Sequence, residues 1–325
     1  QLTTRDDESR VYNADWVTST AVDIIGFQPD IPGPFLLVVS YRQPLGPTTA
    51  AGATAAPDPA PRHVVSADAA RRIQFGPEFG EADVSDKPPW IASLPPTTDD
   101  QRERDASWRA AERAALQSVD DGIGKIVNAL DDTDVLDNTV VMVASGPATL
   151  RGEHRVNGVA PGPYAAALNA PVVVAGPGFP KGRAVDNAVS GVDLGLTLFD
   201  LWNLGGVSGL DGVSLRRALV DDEFTRSRPL LFEAPATGAS PGYRAVLQDG
   251  WILVAYDDAA ATRELYDLDD DPNQERNLLG AGESGLSAAA AARRVQLEFA
   301  LGVLAACDGS TCVPVPAAQA GAADG

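Results

Sequence analysis

The sequence predicts an α/β protein, a mostly parallel sheet sandwiched by helices and followed by a small antiparallel unit of strands and a helix. Short apolar runs at residues 35–41, 139–144 and 172–175 do not alternate with polar residues, as expected of strands covered on both faces. A sustained 3.6-residue periodicity from Asp100 to Leu130 supplies a helix long enough to cover such a sheet. After Leu230 the pattern changes to strand-length segments broken by tight-turn residues.

Size and charge bound the function. A chain of 325 residues can bury a large core plus a smaller appendage, divided here at 1–224 and 225–325. Its net charge of -20 argues against nucleic acid as a partner and against tight electrostatic capture of a polysulfated chain. The sequence has no run of eighteen apolar residues, so no membrane span is expected. Gln1 opens the chain without a Met or a signal peptide, which reads as a processed product or a fragment.

Residues 12–27 have a helical pattern, with Asn13 as N-cap and Trp16, Thr20, Ile24 and Phe27 on one face. The apolar run 35–41 is a strand too hydrophobic for solvent. Residues 48–61 reduce to Ala, Thr, Gly and Pro, a surface loop with no core to make. Residues 75–96 form a Pro-rich wrap that packs Trp90. In the long helix, Trp108, Ala111, Ala115, Val119, Ile123, Ile126 and Leu130 make the apolar stripe, and Asp120 and Asp121 fall on its solvated face. Residues 190–204 form a helix, 230–234, 243–248 and 251–256 form strands, and Asp249-Gly250 is a hairpin turn. Asp269 to Asp271 lack the alternating ligands of a calcium loop and read as a turn. A last helix spans 286–305.

The loop between the strands 139–144 and 172–175 is where an α/β sheet would place its chemistry. Ala144-Ser145-Gly146-Pro147-Ala148 is followed at a fixed distance by Gly152-Glu153-His154, then by Pro163-Tyr164. This frame resembles the metal-binding segment of the sulfatase family in the alkaline phosphatase superfamily, T-S-D-N-G-x-x-x-G-E-H, then a lysine four residues before P-Y-E, then R-V-P. Further phrases resemble the same family. Residues 42–47 match A-P-H-x-P, residues 190–201 match S-x-V-D-L-x-P-T-x-x-D-L, and residues 209–215 match L-D-G-x-S-L. Residues 264–278 match E-L-Y-D-L-x-x-D-P-x-E-x-x-N-L, and Glu81 to Trp90 resembles N-acetylglucosamine-6-sulfatase-like proteins.

The resemblance implies sulfate-ester hydrolysis on a sulfated sugar by an extracellular enzyme holding Ca2+ and a formylglycine nucleophile in a C/S-x-P-x-R motif. The positions that carry this chemistry are substituted. Gly146 and Pro147 stand at two metal-ligand positions, Ala160 at the lysine and Leu45 at the histidine. Tyr164 is followed by Ala165, and Asn169 takes the arginine position. The family's first aspartate strand and nucleophile helix have no counterpart in the sequence, and Cys312-Val313-Pro314-Val315-Pro316 lacks the motif's arginine. The chain is therefore expected to be non-catalytic, with no bound cofactor. A non-catalytic homologue and an altered sequence both fit that pattern. His154 is the weak residual candidate for catalysis, in a Ser-His-Asp arrangement with Ser145, against the plainer reading of a loop histidine that holds backbone. Cys307 and Cys312 are close enough for a local disulfide, as in exported proteins. Partners implied are a sulfated or other glycan, and a partner chain or second copy at the incomplete sheet; an extracellular glycan-binding or structural role is the alternative to hydrolysis.

Overall fold

The computed structural model describes residues 2–4, 10–27, 33–46, 55–63, 72–159, 162–186, 188–204, 211–219, 227–238 and 240–307. In chain order its elements are β1 (Leu2–Thr4), β2 (Arg10–Tyr12), α1 (Asn13–Gly26), α2 (Pro89–Ala92), α3 (Asp99–Asp132), β3 (Val141–Ala144), β4 (Leu150–Arg151), β5 (Asn157–Val159), α4 (Ala165–Leu168), β6 (Val172–Ala175), α5 (Gly191–Leu201), α6 (Leu215–Ala218), β7 (Leu230–Ala234), β8 (Tyr243–Gln248), β9 (Trp251–Tyr256), β10 (Arg263–Asp267) and α7 (Ala288–Ala306). They divide into two compact units that alternate along the chain: 1–75, 97–142 and 174–177 in one, and 76–96, 143–173 and 178–325 in the other. No described helix is long and apolar enough to cross a membrane.

In the first unit, α1 packs on α3 through small residues. Thr98 starts α3 with a capping box, accepting from the Gln101 N–H while the Gln101 side chain accepts from the Thr98 N–H. The buried positions of α1 are Ala14, Thr18, Ala21 and Ile25, and Trp16, Ile24 and Phe27 are exposed. The face expected to seat this helix is thus turned outward, and Tyr12, not Asn13, occupies the N-cap. On α3 the deepest stripe is Ala110, Ala114, Ser118 and Gly122, with Ala115 and Leu130, while the bulkier residues of the expected stripe are half-buried. Small side chains win because they let the two backbones approach. A Cβ on Gly122 would lie 2.4 Å from Thr18 Oγ1 and 2.5 Å from the Tyr41 hydroxyl.

Asp121 receives the Arg62 Nε at 3.0 Å and His63 Nε2 at 2.8 Å, and Arg62 also forks onto Asp15 at 2.8 Å. It is a surface anchor for the 61–63 turn. Residues 35–41 are not a strand: they carry no ladder among the described residues, and Leu36 and Val38 are exposed. β3 and β6 are hydrogen-bonded neighbours, but β3 is only half-buried and β6 alternates between half-buried and exposed. Neither is covered on both faces as expected. The β1–β2 and β4–β5 pairs and the β7-β8-β9-β10 sheet are antiparallel.

The second unit is built on the antiparallel sheet β7-β8-β9-β10. The three strands expected from 230 to 256 form with their expected bounds, and Asp249 and Gly250 turn the hairpin with φ of 51° and 77°. The fourth, β10, comes from the Glu-Leu-Tyr-Asp phrase, which alternation alone does not mark as a strand. Alternate residues sort to two faces. Val246, Leu253 and Leu265 pack with Leu297 and Leu304 of α7. Ala245, Ile252, Val254, Tyr256 and Tyr266 pack with Val84, Ile91, Leu150, Val156 and Tyr164. Trp90 packs against this second face, its ring edge-on to Tyr256 at 6.2 Å, as the Pro-rich wrap predicted. At the start of α5 the Ser190 N–H donates to Asp193 at 2.7 Å, and Asp193 in turn takes two bonds from the buried Arg228 at 2.8 and 2.6 Å.

Candidate functional site

The loop after β3 is exposed. Ser145 donates to the Gly146 carbonyl at 3.2 Å, and Gly146 and Pro147 project no side-chain oxygen or nitrogen. A Cβ on Gly146 would meet nothing within 4 Å. Leu45, in the other unit, is 62% exposed. Ala160 lies outside the described residues, as does Cys312; Cys307 caps the end of α7. Among the described residues no three His, Cys, Asp or Glu side chains are arranged to hold a metal ion.

Gly152-Glu153-His154 folds inward and packs against the 78–94 segment. Gly152 sits at φ 99°, where a Cβ would lie 2.1 Å from the Phe79 ring, so the residue must be glycine. Glu153 turns back to accept the Arg151 N–H at 2.6 Å. His154 and Arg155 then take left-handed conformations, φ 51° and 63°, that drive the imidazole inward. His154 is completely buried, bonded through Nδ1 to Glu81 Oε2 at 2.7 Å and lying 4.0 Å from the Tyr164 ring, centroid to centroid. Its partner is therefore Glu81, and the Ser145 arrangement does not form. Burial lowers its pKa to about 4, with the Lys87 ammonium adding to the effect.

The seam continues from 78 to 94. Gly80 donates to the Gly152 carbonyl at 2.7 Å, His154 donates its N–H to the Glu78 carbonyl at 2.7 Å, and Arg155 donates to the carbonyls of Glu81, Ala82 and Leu94. Beneath it lies a polar cluster that sequence reasoning did not assemble. Glu264, fully buried, accepts Tyr164 at 2.9 Å, Tyr256 at 2.6 Å and Tyr266 at 2.7 Å. Lys87 donates to the Tyr266 hydroxyl at 3.1 Å and to the Gln274 carbonyl, and lies 3.7 Å from Glu81 Oε1. The Gln274 side chain accepts the N–H of Ala165, which fixes the start of α4. Burial raises the pKa of Glu264 and holds all three phenols well above their ordinary value. No local signal marked them: Lys87 and Glu264 both lie in stretches already rich in charge, between Glu81 and Pro88 and between Arg263 and Asp267, so nothing in the sequence singles them out as the buried ones.

Comparison with known proteins places this architecture. The structure resembles the phosphonate monoester hydrolase of Agrobacterium radiobacter, with a TM-score of 0.66 and 21% identity, over 93% of this chain and 63% of that one. It also resembles BT4656, solved in complex with its substrate D-glucosamine-2-N,6-O-disulfate, with a TM-score of 0.61 and 17% identity over 93% and 72% of the two chains. These likenesses define the alkaline phosphatase-like fold of sulfatases. In sequence, the sulfatase family profile matches residues 6–204, and the profile for the C-terminal part of N-sulphoglucosamine sulphohydrolase matches 163–296. The chain belongs to the sulfatase family. It is 31% identical to arylsulfatase K of Gallus gallus over 178 residues, 52% of this chain and 33% of the relative. It is 29% identical to the arylsulfatase of Volvox carteri over 292 residues, 79% of this chain and 44% of the relative. The chain thus spans a third to under half of these curated relatives.

Proposed function

We propose that this chain is a sulfatase-family protein whose ligand class is a sulfated sugar, nearest to N-acetylglucosamine-6-sulfatase, and that as it stands it does not hydrolyse the ester. The observation that carries the second half is the loop after β3. Calcium takes six to eight oxygen ligands, several from carboxylates, and Gly146 and Pro147 offer none through their side chains. The residues present at those positions do not fit the ion, so no catalytic step runs through it here. Leu45 has no hydrogen to donate to a departing oxygen. The likeness to a protein solved with a disulfated glucosamine supports the sugar class. An exported glycan-binding or structural role is the second reading, favoured by the same neutral loop.

The test measures sulfate release from 6-sulfated N-acetylglucosamine and from an aryl sulfate, alongside binding of the same sugar by calorimetry. Binding without release is the expected result. Release by the unmodified chain overturns the non-catalytic half, and absence of binding overturns the ligand class in favour of a structural role. Millimolar calcium should leave the melting temperature unchanged, because only a ligand that binds the folded state raises it.

A further inference from the structure

Two carboxyls and an imidazole are packed around a single buried ammonium in the second unit. Glu81 is 5% exposed, and Glu264, His154 and the Lys87 side chain are sealed. One cation neutralises one carboxylate. Glu264 is equipped for the negative charge, with three phenol donors converging on it. Glu81 has no such set: its carboxylate meets His154 Nδ1 at 2.7 Å and the Lys87 ammonium at 3.7 Å.

We propose that Glu81 and His154 are a one-proton pair, sharing a single buried proton in the folded unit and thereby keeping its stability level with pH across the mildly acidic range. The surroundings favour retention of that proton. On the segment carrying Glu81, Glu78 and Asp86 oppose a further negative charge; so do Glu153 beside His154, and Asp271 and Glu275 from the turn after β10. Arg155, the other nearby cation, spends its guanidinium on three backbone carbonyls. Tyr164, Tyr256 and Tyr266 stay neutral as donors to Glu264.

Burial pushes the Glu81 carboxyl up to about 7 from its ordinary 4.5, and pushes His154 down to about 4 from 6.5. Taken alone, the raised carboxyl contributes stability that is complete below pH 4.5 and is lost as pH climbs to about 7. The depressed imidazole taken alone does the opposite, and its stability is lost as pH falls from 6.5 to about 4. Together they cancel between 4.5 and 6.5. The unfolded chain carries the proton on histidine there, and the folded unit carries it within the pair, so folding neither takes up nor releases it.

The test is urea unfolding of the full chain between about pH 4.5 and 6.5 for four proteins: wild type, Glu81→Gln, His154→Gln and the double variant, whose profile serves as background for all other groups. Relative to that background, the unfolding constant of Glu81→Gln should rise about tenfold per unit as pH falls, and that of His154→Gln about tenfold per unit as pH rises. The wild type should run parallel to the double variant. Single-variant profiles parallel to the background, or a wild type with a tenfold slope against it, overturn the proposal. Where a variant does not fold, ring 15N spectra of the wild type decide, since His63 is the only other histidine. A His154 ring that titrates alone with a midpoint near 6.5 overturns the pair, and one that does not supports it.

Discussion

Removing the Glu264 carboxylate should cost more than any other single change in the second unit. Glu264→Ala strands the hydroxyls of Tyr164, Tyr256 and Tyr266 in a place that water does not reach, and removes the counter-charge of Lys87. A buried polar group left without its partner costs about 1–3 kcal/mol, and three hydroxyls lose theirs here. These overlap, because the tyrosines and the lysine relax together, so a total on the order of 5 kcal/mol is a fair working figure. That is comparable to the whole stability of a domain, about 5–15 kcal/mol. Glu264→Gln keeps the shape and one carbonyl acceptor and should cost about half as much. Urea unfolding followed by tryptophan fluorescence reads both, because Trp90 rests against Tyr256. A Glu264→Ala chain within about 1 kcal/mol of wild type would falsify the reading of this cluster as the fastening of the unit.

Three other outcomes are expected. Gly152→Ala should destabilise by about 2–4 kcal/mol in the same assay, since it combines a φ of 99° with a Cβ pressed into the Phe79 ring; a neutral result removes the steric reason for that glycine. Arg228→Met should cost about 3–5 kcal/mol by leaving the buried Asp193 carboxylate with no guanidinium, and Arg228→Met with Asp193→Leu should recover part of the loss; no recovery would deny that the charge, not the shape, is responsible. Cys307 and Cys312 are expected to be joined, so unreduced peptide mass spectrometry should show the 307–312 segment two hydrogens lighter than the dithiol, against which alkylation of both thiols would count.

Local chemistry was legible in the sequence wherever it acts through neighbours in the chain. Asp249-Gly250 forces its hairpin by backbone preference alone, and the long helix follows from its periodicity, whereas the Thr98 and Gln101 capping box that starts it came only from the structure. What was not legible depends on partners far along the chain. The sequence puts Trp16, Ile24 and Phe27 on the apolar face of α1, yet Gly122 and Ser118 on α3 reward the small face instead, and hydrophobic patterning has no term for closeness of approach. The run 35–41 has the composition of a buried strand, but a strand also needs a ladder, and composition does not supply one. At the site, His154 was visible as a residue and Glu81 was not visible as its partner, because the two lie 73 positions apart.

The pattern of what this chain retains from its family has a physical explanation in burial. Glu264 holds three hydroxyls, and Tyr164 is one of them. Asn277 accepts from the N–H groups of Leu265 and Leu279 and donates to the carbonyl of Asp86. Gly152 admits the Phe79 ring. Each belongs to a phrase shared with sulfatases, and each would leave orphaned polar atoms or a steric clash if replaced, at a cost of kilocalories. Leu45, Gly146 and Pro147, at positions that the family resemblance assigns to chemistry, are all exposed. Substitution at such surface positions usually changes stability by less than about 0.5 kcal/mol. Folding therefore defends the first set of residues and is indifferent to the second, so the stability of this scaffold does not depend on which residues stand at Leu45, Gly146 and Pro147.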